Sequence, residues 1–119
     1  MALAEFRQQA QTIVAHSLTI EIGPGVETCL VRLGGELDLA NALTLTEELL
    51  RLLDTDLQRL VVDLDGLEFI DSSGLHSLLR VMERSNADGD RLRIIEPRGQ
   101  VRRMFKLTNL DTVLPIVAR

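Results

Sequence analysis

The first sixteen residues differ in pattern from everything that follows. Phe6, Ala10, Ile13 and Val14 fall on one face at helical spacing, so residues 1–16 are expected to be an N-terminal extension, either a loosely attached helix or a tail. From Leu18 the period changes to two. Leu18, Ile20 and Ile22 alternate with polar residues and predict a half-buried strand, broken by Gly23-Pro24-Gly25. Residues 28–33 read as a second strand, with Gly34-Gly35 following, and the short connection predicts an antiparallel hairpin. Residues 17–119 are expected to form the folded domain.

Beyond Gly35 the two periods alternate. Ala42, Leu45, Leu49, Leu52 and Leu53 mark one face of a helix over roughly 40–54. Leu60, Val61, Val62 and Leu64 form a short apolar run, as expected of a strand covered on both faces. Leu75, Leu78, Leu79 and Met82 repeat at helical spacing. Asp88-Gly89-Asp90 turns the chain, and Leu92, Ile94 and Ile95 predict another strand. Pro97 begins a short helix carrying Val101, Met104 and Phe105. Residues 113–117 can add a last extended segment, which Pro115 confines to an edge. This order predicts a single α/β domain: a mixed, mainly parallel sheet with an N-terminal β-hairpin, packed helices and right-handed crossovers.

Composition narrows the partners. The 119 residues suit one domain that needs no disulfide or metal to hold it, and with 45% hydrophobic but only 3% aromatic residues the core must be built from Leu, Ile and Val. A net charge of −5 argues against nucleic acid, which needs a basic footprint, although Arg102, Arg103 and Lys106 remain local contact points. Cys29 is the only cysteine and lies in an apolar stretch, so a buried structural thiol is expected. No apolar run approaches the ~20 residues that cross a bilayer, and the first residues lack a signal peptide's apolar block. A cytoplasmic location without membrane insertion is the default expectation. The acids show no metal-ligand spacing and there is no phosphate-binding Gly-x-x-x-x-Gly-Lys loop, so no cofactor is expected.

The most informative stretch is Leu67-Glu68-Phe69-Ile70-Asp71-Ser72-Ser73-Gly74-Leu75. Asp71 or Ser72 is placed at a helix N-cap, where a side-chain oxygen accepts from an amide of the first turn. Ser73 then falls in that turn. Free N–H groups and a partial positive charge make the position tolerant of a phosphate. Gly74 adds no side chain, so a partner's backbone or a phosphate can approach closely. His76, three residues after Ser73, raises the question of a Ser-His catalytic pair. The segment lacks the Gly-x-Ser-x-Gly of a nucleophile elbow and offers no third member, so no enzyme is expected and His76 is placed at an interface edge.

Phe69-Ile70-Asp71-Ser72-Ser73-Gly74-Leu75 resembles the phosphorylation motif of the anti-sigma factor antagonists, a family of STAS domains. Gly35-Glu36-Leu37-Asp38 with Ala42 and Leu45 is similar to the family's segment leading into its first helix. Val101-Arg102-Arg103-Met104-Phe105 with Leu107, Leu110 and Val113 is similar to its C-terminal helix and closing strand. The resemblance covers residues 18–117, and His76 is outside the family's motif. It implies that Ser73 is the phosphoacceptor. Asp71 would cap the helix and orient the hydroxyl, and Asp38 would lie near it. Ser72 is read as a helix-start residue. Asp38, Asp71, Ser72, Ser73, Gly74 and His76 together would form the partner-binding site. The implied partners are an anti-sigma factor that is also a serine kinase, with ATP bound on that partner, and a PP2C-type phosphatase. The domain would regulate sigma-factor-dependent transcription by partner switching. STAS domains also occur in transport and sensory assemblies, so a soluble accessory subunit of a membrane transport complex or a sensory scaffold is the alternative.

Overall fold

The computed structural model describes residues 10–23 and 25–119; Phe6 of the expected N-terminal face and Pro24 of the expected break lie outside these residues. Six strands form one sheet in sequence order. They are β1 (Gln11–Ala15), β2 (Leu18–Ile22), β3 (Thr28–Leu37), β4 (Arg59–Ile70), β5 (Leu92–Ile95) and β6 (Ile116–Val117). The first two pairings are antiparallel and the last three parallel, which is the mixed sheet expected. Three helices connect the parallel strands: α1 (Ala42–Leu53), α2 (Ser72–Asn86) and α3 (Gly99–Leu107).

Residues 11–15 correct the expectation of a helix or tail. They form an edge strand paired with β2, Ile13 opposite Ile20 and Ala15 opposite Leu18. Thr12-Ile13-Val14 is a run of β-branched side chains, which crowd a helix and suit a pleated surface. The hairpin turns at His16-Ser17, with His16 at φ 55°. The expected hairpin is also present, between β2 and β3.

Two strands run further than the apolar pattern indicates. β3 continues through Gly34-Gly35 to Leu37, and β4 continues past Leu64 to Ile70 as one strand of 12 residues. Their pairing shifts register between Arg32 and Gly34 and again between Gly35 and Glu36. These irregularities interrupt strict alternation, which is why the strands look shorter in the sequence. A Cβ at Gly35 (φ 88°) would meet the Ser17 carbonyl oxygen at 2.1 Å, so glycine is required there.

Leu18, Ile20, Val31, Leu33, Leu60, Val62, Leu64 and Ile94 are buried, together with Leu45, Leu49, Leu53, Leu75 and Leu78 of α1 and α2. Val61 is only half-buried, so β4 is not fully covered on both faces as expected. Cys29 is buried, its thiol donating to the Gly23 carbonyl, and burial pushes its pKa up. Arg119 donates to Asp63 across the sheet, holding that carboxyl below its usual range. Both lie away from the site described next.

Two features position that site. Ile70 ends β4 with both backbone groups held by Gln100 of α3, at 3.0 and 3.1 Å. The segment Leu37–Asn41, between β3 and α1, lies against the start of α2 through Asp71, whose N–H donates to the Leu37 carbonyl at 3.2 Å.

Candidate functional site

Asp71 is the N-cap of α2, with extended backbone (φ −111°, ψ −174°). Its Oδ1 accepts from the Gly74 N–H at 3.0 Å, satisfying a first-turn donor that the helix itself cannot. Its Oδ2 accepts from the Leu39 N–H at 3.2 Å. One carboxylate thus holds the start of α2 and the β3–α1 loop together, and Ser73 stands in the first helical turn as the sequence predicts.

The loop has its own internal frame. Asp38 Oδ1 accepts from the Ala40 N–H at 3.0 Å, and the Asp38 carbonyl accepts from Asn41 and Ala42. Asp38 is half-buried, and its oxygens bond to the loop's own N–H groups. Asn41 is the residue that sequence reasoning misses. Next to a helix start it looks like an N-cap, yet its side chain makes no such bond. At 1% exposure it turns back instead, Oδ1 accepting from the Asp38 N–H at 2.9 Å and Nδ2 donating to the Ala15 and Glu36 carbonyls at 3.2 and 3.0 Å. Asn41→Ala removes a buried side chain's bonds to three part-buried backbone groups. It is expected to cost about 2 kcal/mol in denaturant unfolding, since each stranded group costs roughly 1–3 kcal/mol before water compensates.

Between α1 and α2 runs an open groove of about 430 Å³. Leu39, Ala42, Leu43 and Thr46 line one side, and Ser72, Ser73, His76, Ser77 and Arg80 line the other. Its floor is fixed by a buried hydroxyl pair, Thr46 Oγ1 and Ser77 Oγ at 2.6 Å, both within reach of the Ala42 carbonyl. Its rim is apolar and uncovered: Leu39 is 80% exposed and Leu43 63%. Leu43 falls out of phase with the Ala42-Leu45-Leu49-Leu52 stripe, the signal by which the sequence could have marked it as surface, whereas Leu39 precedes the helix.

Of the six residues proposed from the sequence, Ser72, Ser73 and His76 line this groove, with Ser73 half-buried and the other two exposed. Asp38 and Asp71 brace the loop and helix start. Gly74 differs. It is buried, and a Cβ there would meet Ile70 Cγ1 at 2.7 Å, Leu37 Cγ at 2.8 Å and the Leu37 carbonyl oxygen at 3.0 Å. The close approach that Gly74 permits is of α2 to the ends of β3 and β4, not of a partner from outside. Phe69 is also unlike the apolar pair it forms with Ile70 in the sequence: Ile70 is buried and Phe69 exposed. Among the described residues no cluster of three or more His, Cys, Asp or Glu could hold a metal ion, and no helix is long and apolar enough to cross a membrane. The arrangement offers a hydroxyl on a helix start beside an apolar rim, suited to contact with another protein.

Comparison with known proteins gives a consistent answer. The family model of the STAS domain matches residues 17–119. The anti-sigma F factor antagonist of Paenibacillus polymyxa is 30% identical over 106 residues, covering 84% of this chain and 86% of that one. The crystal structure of an anti-sigma factor antagonist from Mycobacterium paratuberculosis superposes with a TM-score of 0.74 at 27% identity, over 84% of this chain and 85% of that one. SpoIIAA shares the fold in its unphosphorylated form (TM-score 0.68, 22% identity, 92% of this chain and 87% of that one). Its phosphorylated form does so too, with a TM-score of 0.63 and 21% identity over 92% of this chain and 90% of that one.

Proposed function

The chain belongs to the STAS domain family and within it to the anti-sigma factor antagonists, and on that premise we propose that it binds an anti-sigma factor through the groove around Ser73 and is released by phosphorylation there. The observation that carries this reading is the placement of Ser73: in the first turn of α2, half-buried yet lining an open groove with two exposed leucines. A hydroxyl so placed is accessible to a docking protein, and a phosphate on it is accommodated by the domain itself.

The balance of effects favours a switch. A phosphate adds about −1.5 to −2 charge at neutral pH. At a helix N-terminus negative charge is favourable by roughly 0.3–1 kcal/mol, so the fold keeps its stability. At an interface closed over a neutral serine the same charge is desolvated and faces whatever the partner presents. The kinase is the anti-sigma factor itself, using its own bound ATP, and a PP2C-type phosphatase restores the hydroxyl.

The test is phosphosite mapping after incubation with the cognate anti-sigma factor and ATP. The parent chain is expected to gain one phosphate, on Ser73. Ser73→Ala is expected to gain none while binding the anti-sigma factor as the parent does. A partner that phosphorylates Ser73→Ala equally well removes the site assignment. Co-purification with a membrane transport ATPase and no kinase would return the accessory-subunit reading.

A further inference from the structure

Ser73, His76 and Arg80 stand at i, i+3 and i+7 on α2, and all three line the groove. Side chains three or four apart on a helix are neighbours, with Cβ atoms about 5–6 Å apart. They also lean toward the helix N-terminus. His76 therefore leans toward Ser73, and Arg80 toward His76. Both are exposed, and none of the ion pairs among the described residues uses Arg80.

The surrounding charges sharpen the point. Facing His76 across the groove, Leu39, Ala42, Leu43 and Thr46 carry no charge. Asp38 and Asp71 are outside the groove lining and occupied with the N–H groups of Ala40, Leu39 and Gly74. Glu47 on α1 and Glu83 on α2 lie further along their helices, also outside the lining. In a chain with net charge −5, the one titratable histidine and the one arginine of this groove sit in line behind its serine, with no acid between.

We propose that His76, backed by Arg80, holds a phosphate on Ser73 in cis, so that the phosphorylated domain keeps the group against its own helix. The inference rests on Ser73 being the modified residue and goes beyond it by assigning the residues that receive the phosphate. The imidazolium donates one N–H to a phosphate oxygen, and the guanidinium adds a second, permanent positive charge one turn behind. The second ionisation of phosphoserine lies near pH 6, and histidines as a class titrate near 6.5. The dianion and the imidazolium therefore favour each other over the same range. Pairing weakens below about pH 5, where the phosphate is monoanionic.

The experiment installs phosphoserine at position 73 during translation, without a kinase, and follows the phosphate by phosphorus NMR as pH is raised. His76→Gln is expected to raise the second phosphate pKa by about half a unit, the size of an exposed ion pair's coupling. Arg80→Gln is expected to raise it by less. The helix dipole acts equally in all variants and cancels. Identical phosphate titrations in the parent and in His76→Gln would overturn the clamp. Because the phosphate is installed without a kinase, that outcome leaves the functional reading standing. A kinase that ignores Ser73 would sink the functional reading and leave the titrations unaffected.

Discussion

Gly74→Val is expected to destabilise the domain by about 3 kcal/mol or more, read as a lowered denaturant midpoint at unchanged slope. The sign runs against helix propensity. Gly74 is the third residue of α2, and in an ordinary exposed helix interior a change from glycine to alanine gains about 0.8–1 kcal/mol. Here the added carbon lands within 3.0 Å of three atoms, one of them the Leu37 carbonyl oxygen, which cannot rotate away. The ends of β3 and β4 would have to part from α2, and with them the Asp71 bonds to Gly74 and Leu39. Gly74→Ala is the gentler member of the pair and should lose about 1 kcal/mol once the propensity gain is subtracted. An alanine variant more stable than the parent would show that α2 has room to spare.

Ser73→Asp is expected to weaken binding to the anti-sigma factor by a hundred- to a thousand-fold with the domain's thermal midpoint unchanged or slightly raised. Two unit charges about 4 Å apart interact by roughly 4 kcal/mol at an effective dielectric of 20, and a loss of about 2.7–4 kcal/mol corresponds to that range of affinity. Aspartate carries one charge where a phosphate carries nearly two, so it belongs at the lower end and true phosphoserine at the upper. The unchanged midpoint is the control: the N-terminus of α2 receives the charge favourably, so weak binding does not report unfolding. Calorimetric titration against the unmodified partner measures the first quantity and a thermal melt the second. Parent-like affinity of both the aspartate and phosphoserine forms would mean that the partner does not close over Ser73.

Helix α2 was the most legible part of the chain because local chemistry alone specifies it. Asp71 caps, Ser72 and Ser73 open the first turn, and Leu75, Leu78 and Leu79 supply the stripe, all within nine residues. β1 was illegible for a different reason. Its pairing to β2 is a local hairpin, from Ala15 opposite Leu18 to Gln11 opposite Ile22, but four apolar residues at mixed spacing fit a helical face as well as a strand. Asn41 shows a third limit. Its type announces a cap, but the groups it serves, on Ala15, Glu36 and Asp38, are brought together only by the fold. Gly74 shows a fourth: an absent side chain marks a close approach without saying from which side. The exposure of Leu43 was legible in its phase off the α1 stripe, but that of Leu39, in the loop before the helix, was not.

Asp71 spends one oxygen on Gly74 and the other on Leu39. Helix α2 and the most exposed leucine of the groove are consequently geared to one another. A rotation of the α2 start that lengthens one bond drags on the other, so strain introduced at Ser73 is felt at Leu39 without passing through the core. The groove can therefore respond to its serine as a single mechanical piece, with the Asp71 carboxylate as the gear tooth.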